Sequence, residues 1–490
     1  MRLTRTRNTI KYRILTVFLC LSLLFYGSSI SALADEPKTD EEYQAEAEER
    51  KELTVETNEV PGWPSGPAIG AEAAILMDAD TGQILYAKNI DERLMPASTT
   101  KIMTCLTALK RGANMSDVIT VSQAAIDAND PEGSNMGLYA GEQLTLEEIM
   151  TGILVCSANE GCNALAEHMA GSMDGYVDYM NEEAAKMGLT NTHFVTTNGL
   201  PDPDHYTTAR DLATIAREFF SYDVLCRLSS TPYVELEETD THRAHSLYSK
   251  NKLYKNRDYE YPYLLGSKTG YTDDARQTLV SAAEKDGTRL ICVILMEEAP
   301  YQFEDTVNLF DYGFANFSYS RISDFENTFD TGSNYLSDST YGSLISLNTD
   351  VKVLLPNSAD LSNITSDITY RESSTPYFAD VNYYYNGYYI GKAGLSYNPI
   401  TTSIDEIKLS GINTNKDVKI TIINVKKVFL IVLLAFAGVL IIIRLIILIK
   451  KLILKVFVLF SNFKAQIILT VVREGVLNQI PYHLFIIRAD

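Results

Sequence analysis

Apolar residues change their spacing several times along this chain, and each change marks an element. Ala73 to Met77 and Gln83 to Ala87 are short apolar runs separated by Asp80-Thr81-Gly82, which predicts two strands joined as a hairpin. Met95-Pro96-Ala97 breaks the pattern. Beyond it Ile102, Cys105, Leu106 and Leu109 recur at three- and four-residue steps, predicting a helix from Ser98 to Lys110. Thr145-Leu146-Glu147-Glu148 has the form of a capping box and predicts a helix running through Val155. Asn163 to Ala170, Tyr176 to Met187 and Thr208 to Phe220 read as further helices. Thr278 to Ala283 and Thr288 to Met296 read as strands joined across Lys285-Asp286-Gly287, and Tyr301 to Phe317 as an amphipathic helix. Strands at both ends of a helix-rich middle predict an α+β fold, an antiparallel sheet with helices packed on it and a helical subdomain inserted. From about Ser320 the pattern becomes short and alternating, as in Val351 to Leu355 and in Tyr383 to Ile390 with Asn386-Gly387 inside. That predicts a small all-β domain over residues 320–422 whose tyrosines pack between strands.

The two ends read differently. Residues 1–34 have the layout of a secretory signal peptide: Arg2, Arg5, Arg7, Lys11 and Arg13 ahead of the apolar Ile14 to Tyr26, then Ala32-Leu33-Ala34 as a small-residue cleavage site. Val428 to Ile449 is a 22-residue apolar stretch with Arg444 as its one charge, long enough to be a transmembrane helix. Lys450, Lys451, Lys455, Lys464 and Arg473 follow it, and positive charge marks the cytoplasmic side. The expected layout is therefore a single-pass cell-membrane protein with its folded part extracytoplasmic and residues 450–490 as a cytoplasmic tail.

Charge and cysteine content narrow the chemistry. The net charge of −21 excludes nucleic acid as a partner, because phosphate binding needs clustered Lys and Arg. From Asp35 to Glu59 eleven Asp or Glu face only Lys38, Arg50 and Lys51, so residues 35–66 read as an acidic disordered linker. Cys105, Cys156, Cys162, Cys226 and Cys292 have no metal-type spacing and read as buried thiols.

Three short motifs then occur in order. Ser98-Thr99-Thr100-Lys101 is an S-x-x-K, Ser157-Ala158-Asn159 an S-x-N and Lys268-Thr269-Gly270 a K-T-G, with 59 and 111 residues between their first positions. Each alone is weak; the ordered set in an exported chain is specific. Residues three apart on a helix share a face, so Ser98 and Lys101 can meet at a helix N-terminus. A serine hydroxyl needs a neighbouring base, and a lysine serves only when neutral, a state that burial and a nearby cation such as Lys268 favour. Ser157 can relay a proton to the leaving amine, Asn159 can orient the substrate amide, and Lys268 and Thr269 can hold a free carboxylate. Gly270 lets a substrate strand approach the backbone closely. His205, after a Pro-Asp-Pro-Asp loop, reads as a structural hydrogen bonder rather than a catalytic base.

Met95 to Thr104, Gly199-Leu200-Pro201-Asp202 with His205 to Ala209, and Gly266 to Thr272 resemble segments of the low-molecular-mass penicillin-binding proteins, the serine-type D-alanyl-D-alanine carboxypeptidases of peptidase family S11. The resemblance covers roughly residues 67–317. It implies a catalytic domain over 67–319 with the fold shared by serine β-lactamases and penicillin-binding proteins. It implies removal of the terminal D-alanine from peptidoglycan stem peptides through a Ser98 acyl-enzyme, with an oxyanion hole from the N–H groups of Ser98 and Tyr271. It also implies that no metal or cofactor takes part and that β-lactam antibiotics acylate Ser98. Two positions depart from the family pattern. Glu160-Gly161 stands where relatives often carry Asp-Ala, and Arg276 stands where they usually have Gly, a bulky cation expected to narrow the site or alter specificity. A serine β-lactamase would need an E-x-x-L-N segment, absent between Ser157 and Lys268. A D,D-endopeptidase and a catalytically idle penicillin-binding sensor or scaffold remain as alternatives.

Overall fold

The computed structural model describes residues 38–129, 133–326, 337–338, 342–343, 345–372 and 376–397. The signal peptide, the 428–449 apolar stretch, the tail and the end of the β-rich region lie outside these residues. Among the described residues no helix is long and apolar enough to cross a membrane.

At the centre is a five-stranded antiparallel sheet in the order Ile84–Lys88, Ala73–Asp78, Thr288–Glu297, Arg276–Lys285, Leu264–Thr272. Alternate residues of a strand point to opposite faces, and here both faces are covered. Ala73, Ile75, Met77, Val280, Ala282, Ile291 and Val293 join one apolar cluster with the helices inserted between the second and third strands in sequence. Ala74, Leu76, Leu279, Ala283, Cys292 and Ile294 join the other, with Phe303, Leu309 and Phe310 of the Tyr301–Asn316 helix. Two-sided burial explains why these strands read as continuous apolar runs and not as alternating ones. The expected α+β architecture is present, with the helices Lys101–Lys110, Leu146–Val155, Asn159–Ala170, Met173–Lys186 and Ala209–Phe219 forming the inserted part. The capping box at Thr145 and Glu148 forms in both directions.

The β-rich region has a four-stranded sheet, Ile345–Leu347, Tyr388–Tyr397, Ala379–Tyr385, Ile364–Tyr370, with Asn386 and Gly387 both at positive φ in its tight turn. Its Lys352–Pro356 strand pairs with Phe317–Arg321, directly after the long helix. Tyr383 and Tyr385 are buried, whereas Tyr370, Tyr389 and Tyr397 are exposed, so packing accounts for only part of the tyrosine content. Val353, Leu354, Val381 and Tyr383 belong to the same apolar cluster as Leu76 and Phe310. No packing boundary therefore falls at residue 320.

The acidic stretch is corrected by the structure. Asp40–Arg50 is a helix, opened by a capping box between Thr39 and Glu42. Composition suggested a solvated chain because it counted charges without their partners. Ala47 is buried, Arg50 Nε donates to the Gly70 carbonyl at 2.7 Å, and the Tyr43 ring lies under the Arg276 guanidinium. Further on, Trp63 is buried with its Nε1 on the Leu85 carbonyl at 2.9 Å and its ring 5.0 Å from Tyr388. The segment is thus packed against both the central sheet and the β-rich region.

Candidate active site

The turn carrying Ser98 begins at a proline break. Ala97 sits at φ 49° and Ala97–Thr100 forms a 3-10 turn before the Lys101–Lys110 helix. The predicted single helix from Ser98 is therefore tighter at its start. Three residues per turn in a 3-10 helix still bring Ser98 and Lys101 onto one face. The Pro96 carbonyl accepts from Thr99 Oγ1 at 2.6 Å and from Thr278 Oγ1 at 2.9 Å, which ties this turn to the sheet.

Lys101 is fully buried, and its Nζ donates to Ser98 Oγ at 2.8 Å, Asn159 Oδ1 at 2.8 Å and the Asn198 carbonyl at 2.7 Å. An ammonium has three donors, and all three are used. Burial pushes this amine down to about 8. Once neutral, its lone pair can accept the Ser98 hydroxyl proton while two hydrogen bonds keep it aimed.

Ser157 lies in the turn between the Leu146–Val155 and Asn159–Ala170 helices, at φ 65°, a strained backbone for a residue with a Cβ. Its Oγ accepts from Lys268 Nζ at 3.0 Å, and Lys268 also reaches the Thr269 carbonyl at 2.6 Å. Burial, and after it the charge of Lys101, pushes Lys268 down to about 7. Asn159 spends its Oδ1 on Lys101, which leaves its Nδ2 for a substrate carbonyl.

Lys268, Thr269 and Gly270 stand on Leu264–Thr272, the edge strand of the sheet, and Thr269 to Thr272 line the cleft. An edge strand offers unpaired backbone groups to an extended peptide. A Cβ on Gly270 would meet Thr278 Oγ1 at 2.3 Å and the Ser98 nitrogen at 2.9 Å, so glycine is what lets the strand run beside the serine turn. Ser98, Ser157, Asn159, Thr269, Gly270 and Tyr271 all line one cavity of about 520 Å³.

Sequence reasoning missed several contributors. The Asn198 carbonyl on Lys101 is a backbone group and leaves no side-chain signal. Gly199, at φ 85°, would place a Cβ 1.9 Å from the Ala97 carbonyl; an Asn-Gly pair before Leu-Pro was the available clue. Glu160 Oε1 accepts from the Met136 and Gly137 nitrogens at 2.7 and 3.0 Å, fixing the loop that brings Ser134 to the cleft. His205 takes the structural place expected of it. Its Nδ1 accepts from the Val195 and Thr196 nitrogens, its Nε2 faces Thr100 Oγ1 at 2.9 Å, and burial lowers it to about 4, so it stays neutral. The expected intrusion of Arg276 into the site is corrected. The guanidinium is drawn away onto the buried Glu298 carboxylate at 2.7 Å and is not among the cleft-lining residues.

Comparison with known proteins agrees with this geometry. Residues 60–299 match the model of the D-alanyl-D-alanine carboxypeptidase family, peptidase S11. The chain is 36% identical over 252 residues to D-alanyl-D-alanine carboxypeptidase DacF of Bacillus subtilis, half of this chain and 63% of that protein. It is 33% identical over 261 residues to D-alanyl-D-alanine carboxypeptidase DacB2 of Mycobacterium tuberculosis, 51% of this chain and 84% of that protein. Among solved structures, penicillin-binding protein 5 of Haemophilus influenzae aligns with a TM-score of 0.56 at 27% identity, over 68% of this chain and 98% of that one.

Proposed function

The chain belongs to the D-alanyl-D-alanine carboxypeptidase family, and we propose that it is a serine-type D,D-carboxypeptidase acting on peptidoglycan stem peptides that end in D-Ala-D-Ala. The observation that carries this reading is the buried Lys101 amine 2.8 Å from Ser98 Oγ, with the Lys268 and Ser157 pair across the same cleft.

In this reading neutral Lys101 takes the Ser98 proton as Oγ attacks the carbonyl of the penultimate D-alanine. The N–H groups of Ser98 and Tyr271 stabilise the oxyanion. The tetrahedral adduct collapses by breaking the C–N bond, and Ser157 passes a proton to the departing amine of the terminal D-alanine and regains one from Lys101, which is left neutral again. Thr269 and Lys268 hold that residue's carboxylate, whose negative charge in turn favours a protonated Lys268. Water, deprotonated by the again neutral Lys101, then attacks the Ser98 ester; the bond from the acyl carbon to Oγ breaks, Lys101 returns the proton to Ser98, and the shortened peptide is freed. A β-lactam ring opens by the same first step, but its amine stays tethered. The substrate lies outside the cytoplasmic membrane, which fits the signal-peptide layout of residues 1–34 and a single-pass anchor at 428–449.

The test is D-alanine release by the full chain from a synthetic pentapeptide ending in D-Ala-D-Ala, with mass spectrometry of a penicillin adduct. Expected are turnover and a penicillin ester, both lost in Ser98→Ala. Cleavage of cross-linked dimers alone would replace this reading with an endopeptidase, and an adduct without any turnover would replace it with a sensor.

A further inference from the structure

The Asp40–Arg50 helix precedes the residues 60–299 matched by the family model, yet its Gln44 Nε2 reaches the carbonyl of the cleft-lining Ala299 at 3.4 Å and its Tyr43 ring lies against Arg276. Arg276 is the junction. Its backbone lies at φ 50°, a conformation that favours glycine, so some interaction must hold an arginine there. Its Nε donates to both Glu298 oxygens at 3.0 and 3.2 Å, and its second terminal nitrogen reaches Glu298 Oε2 at 2.7 Å. The remaining terminal nitrogen reaches the Tyr271 hydroxyl at 3.4 Å, and the guanidinium sits 3.6 Å from the centroid of the Tyr43 ring. Glu298 is 2% exposed and also pairs with Arg50 at 3.7 Å, so the N-terminal helix and the Arg276–Lys285 strand, next to the cleft strand, share one buried carboxylate.

Tyr271 is the group this assembly acts on. Its side chain is half-exposed and lines the cleft, and its hydroxyl is held by Asp273 at 2.8 Å as well as by Arg276. Thr269 and Tyr271, two apart on a strand, point to one side. A peptide added to this edge with its terminal carboxylate at Thr269 and its scissile carbonyl at Ser98 then carries its earlier residues over the Tyr271 ring. We infer that Arg276 is a positioning residue, which fixes the Tyr271 ring for the part of the stem peptide upstream of D-Ala-D-Ala, and that Tyr43 and Arg50 of the N-terminal helix set Arg276 in that pose. This inference rests on the carboxypeptidase reading above.

The informative variant is Arg276→Gly, because glycine adopts φ 50° without penalty and the backbone is kept. Arg276→Lys is the second, since it keeps the charge but cannot fork onto Glu298 while stacking on Tyr43. Steady-state D-alanine release by the full chain is measured on a pentapeptide and on a capped D-Ala-D-Ala too short to reach Tyr271. Both variants are expected to raise the pentapeptide KM roughly three- to tenfold, a loss of the size of one restrained aromatic contact, with kcat within about twofold and the short-substrate KM unmoved. Tyr43→Ala is expected to raise the pentapeptide KM in the wild-type background and to add nothing to Arg276→Gly. A wild type that turns over while Arg276→Gly leaves its pentapeptide KM unmoved overturns the positioning role. Equal rises for both substrates, or additive effects of Tyr43 and Arg276, overturn it as well. A wild type that turns over neither substrate overturns the carboxypeptidase reading, and this inference with it.

Discussion

Lys268 Nζ donates to Ser157 Oγ over 3.0 Å, joining residues 111 positions apart, and the Lys101 charge acts on the same amine. The two amines cannot be treated separately. Burial lowers Lys101 to about 8, and burial together with the Lys101 charge lowers Lys268 to about 7. Loss of the first proton relieves the repulsion and lets the other amine keep its own, so the pair titrates in coupled steps. A general base must be neutral, so acylation of Ser98 is expected to rise with pH along a limb between about 7 and 8. Lys268, the lower of the two, is already neutral where Lys101 gives up its proton, so Lys268→Gln is expected to leave the limb near 8 in place. Stopped-flow acylation by a fluorescent penicillin measures both. A limb moved to higher pH in Lys268→Gln would show that Lys268 is still charged where Lys101 titrates.

Gly270 offers a steric test of the same site. Its Cβ would lie 2.3 Å from Thr278 Oγ1 and within 3.0 Å of the Ser98 and Thr99 nitrogens. Thr278 cannot swing freely, because its hydroxyl is bonded to the Pro96 carbonyl. Gly270→Ala is therefore expected to displace the strand from the serine turn and slow acylation by about 100-fold, the usual cost of an ångström of misplacement. Thr278→Ala added to it removes the nearest obstacle, and the double variant is expected to recover part of the rate. A double variant slower than the single one would mean that the backbone contacts with Ser98 dominate.

What the sequence made legible was whatever rests on local pattern. The strands at 73–78, 276–285 and 288–297 are apolar on both faces, and the motif serines and lysines follow an order and spacing that chance rarely produces. What it hid depends on partners distant in the chain. The Asp40–Arg50 helix looks disordered until Gly70 and Arg276 are beside it. Arg276 looks obstructive until Glu298 takes its charge. The short hairpin of Tyr233–Leu236 and His245–Tyr248 carries too few buried positions to stand out from a loop. Asn159 begins its helix four residues earlier than the apolar spacing suggested, because the first turn buries Glu160 for its hydrogen bonds and not for apolarity.

Glu160 is the second departure from the family pattern, and its geometry sets a clear expectation. It is 2% exposed, and one oxygen holds the nitrogens of Met136 and Gly137. The same loop accepts the Asn159 N–H through the Ser134 carbonyl at 2.9 Å. Glu160→Ala leaves those buried donors without an acceptor and is expected to cost about 2–3 kcal/mol in urea unfolding. Acylation should slow as Asn159 loses its brace. Glu160→Gln keeps a carbonyl oxygen for the two N–H groups and is expected to lose less of both. Equal losses for the two variants would point to the charge itself as the requirement.

Glu297 and Asp305 form a buried acidic pair beneath the N-terminal helix, where Glu297 Oε1 accepts from the Glu298 nitrogen at 2.7 Å and Asp305 Oδ2 from the Gly70 nitrogen at 3.2 Å. Burial is the main cause that raises both carboxyls above their ordinary values, and their mutual contact raises Glu297 further. The nearby cations are Arg50, whose charge lowers Glu297, Lys51, whose charge lowers Asp305, and the buried ammonium of Lys88, held by the Arg50 and Ile69 carbonyls at 2.7 Å each. A raised carboxyl pKa means that the folded chain keeps a proton the unfolded chain has lost. The pair's contribution to stability is therefore full below the ordinary carboxyl range and falls as pH rises above it. Glu297→Gln carries a permanent donor toward Asp305 in place of that proton. Thermal unfolding from pH 5.5 to 8.5 is expected to show the variant gaining on the wild type as pH rises and exceeding it at the alkaline end. The difference between the two proteins reads the pair together with Lys88, whose amine burial lowers to about 8 and the Glu297 charge holds up. Lys101 and Lys268, whose lowered pKa values make stability rise with pH above about 7, are common to both. A difference that stays constant across the range would mean that no proton is shared between Glu297 and Asp305.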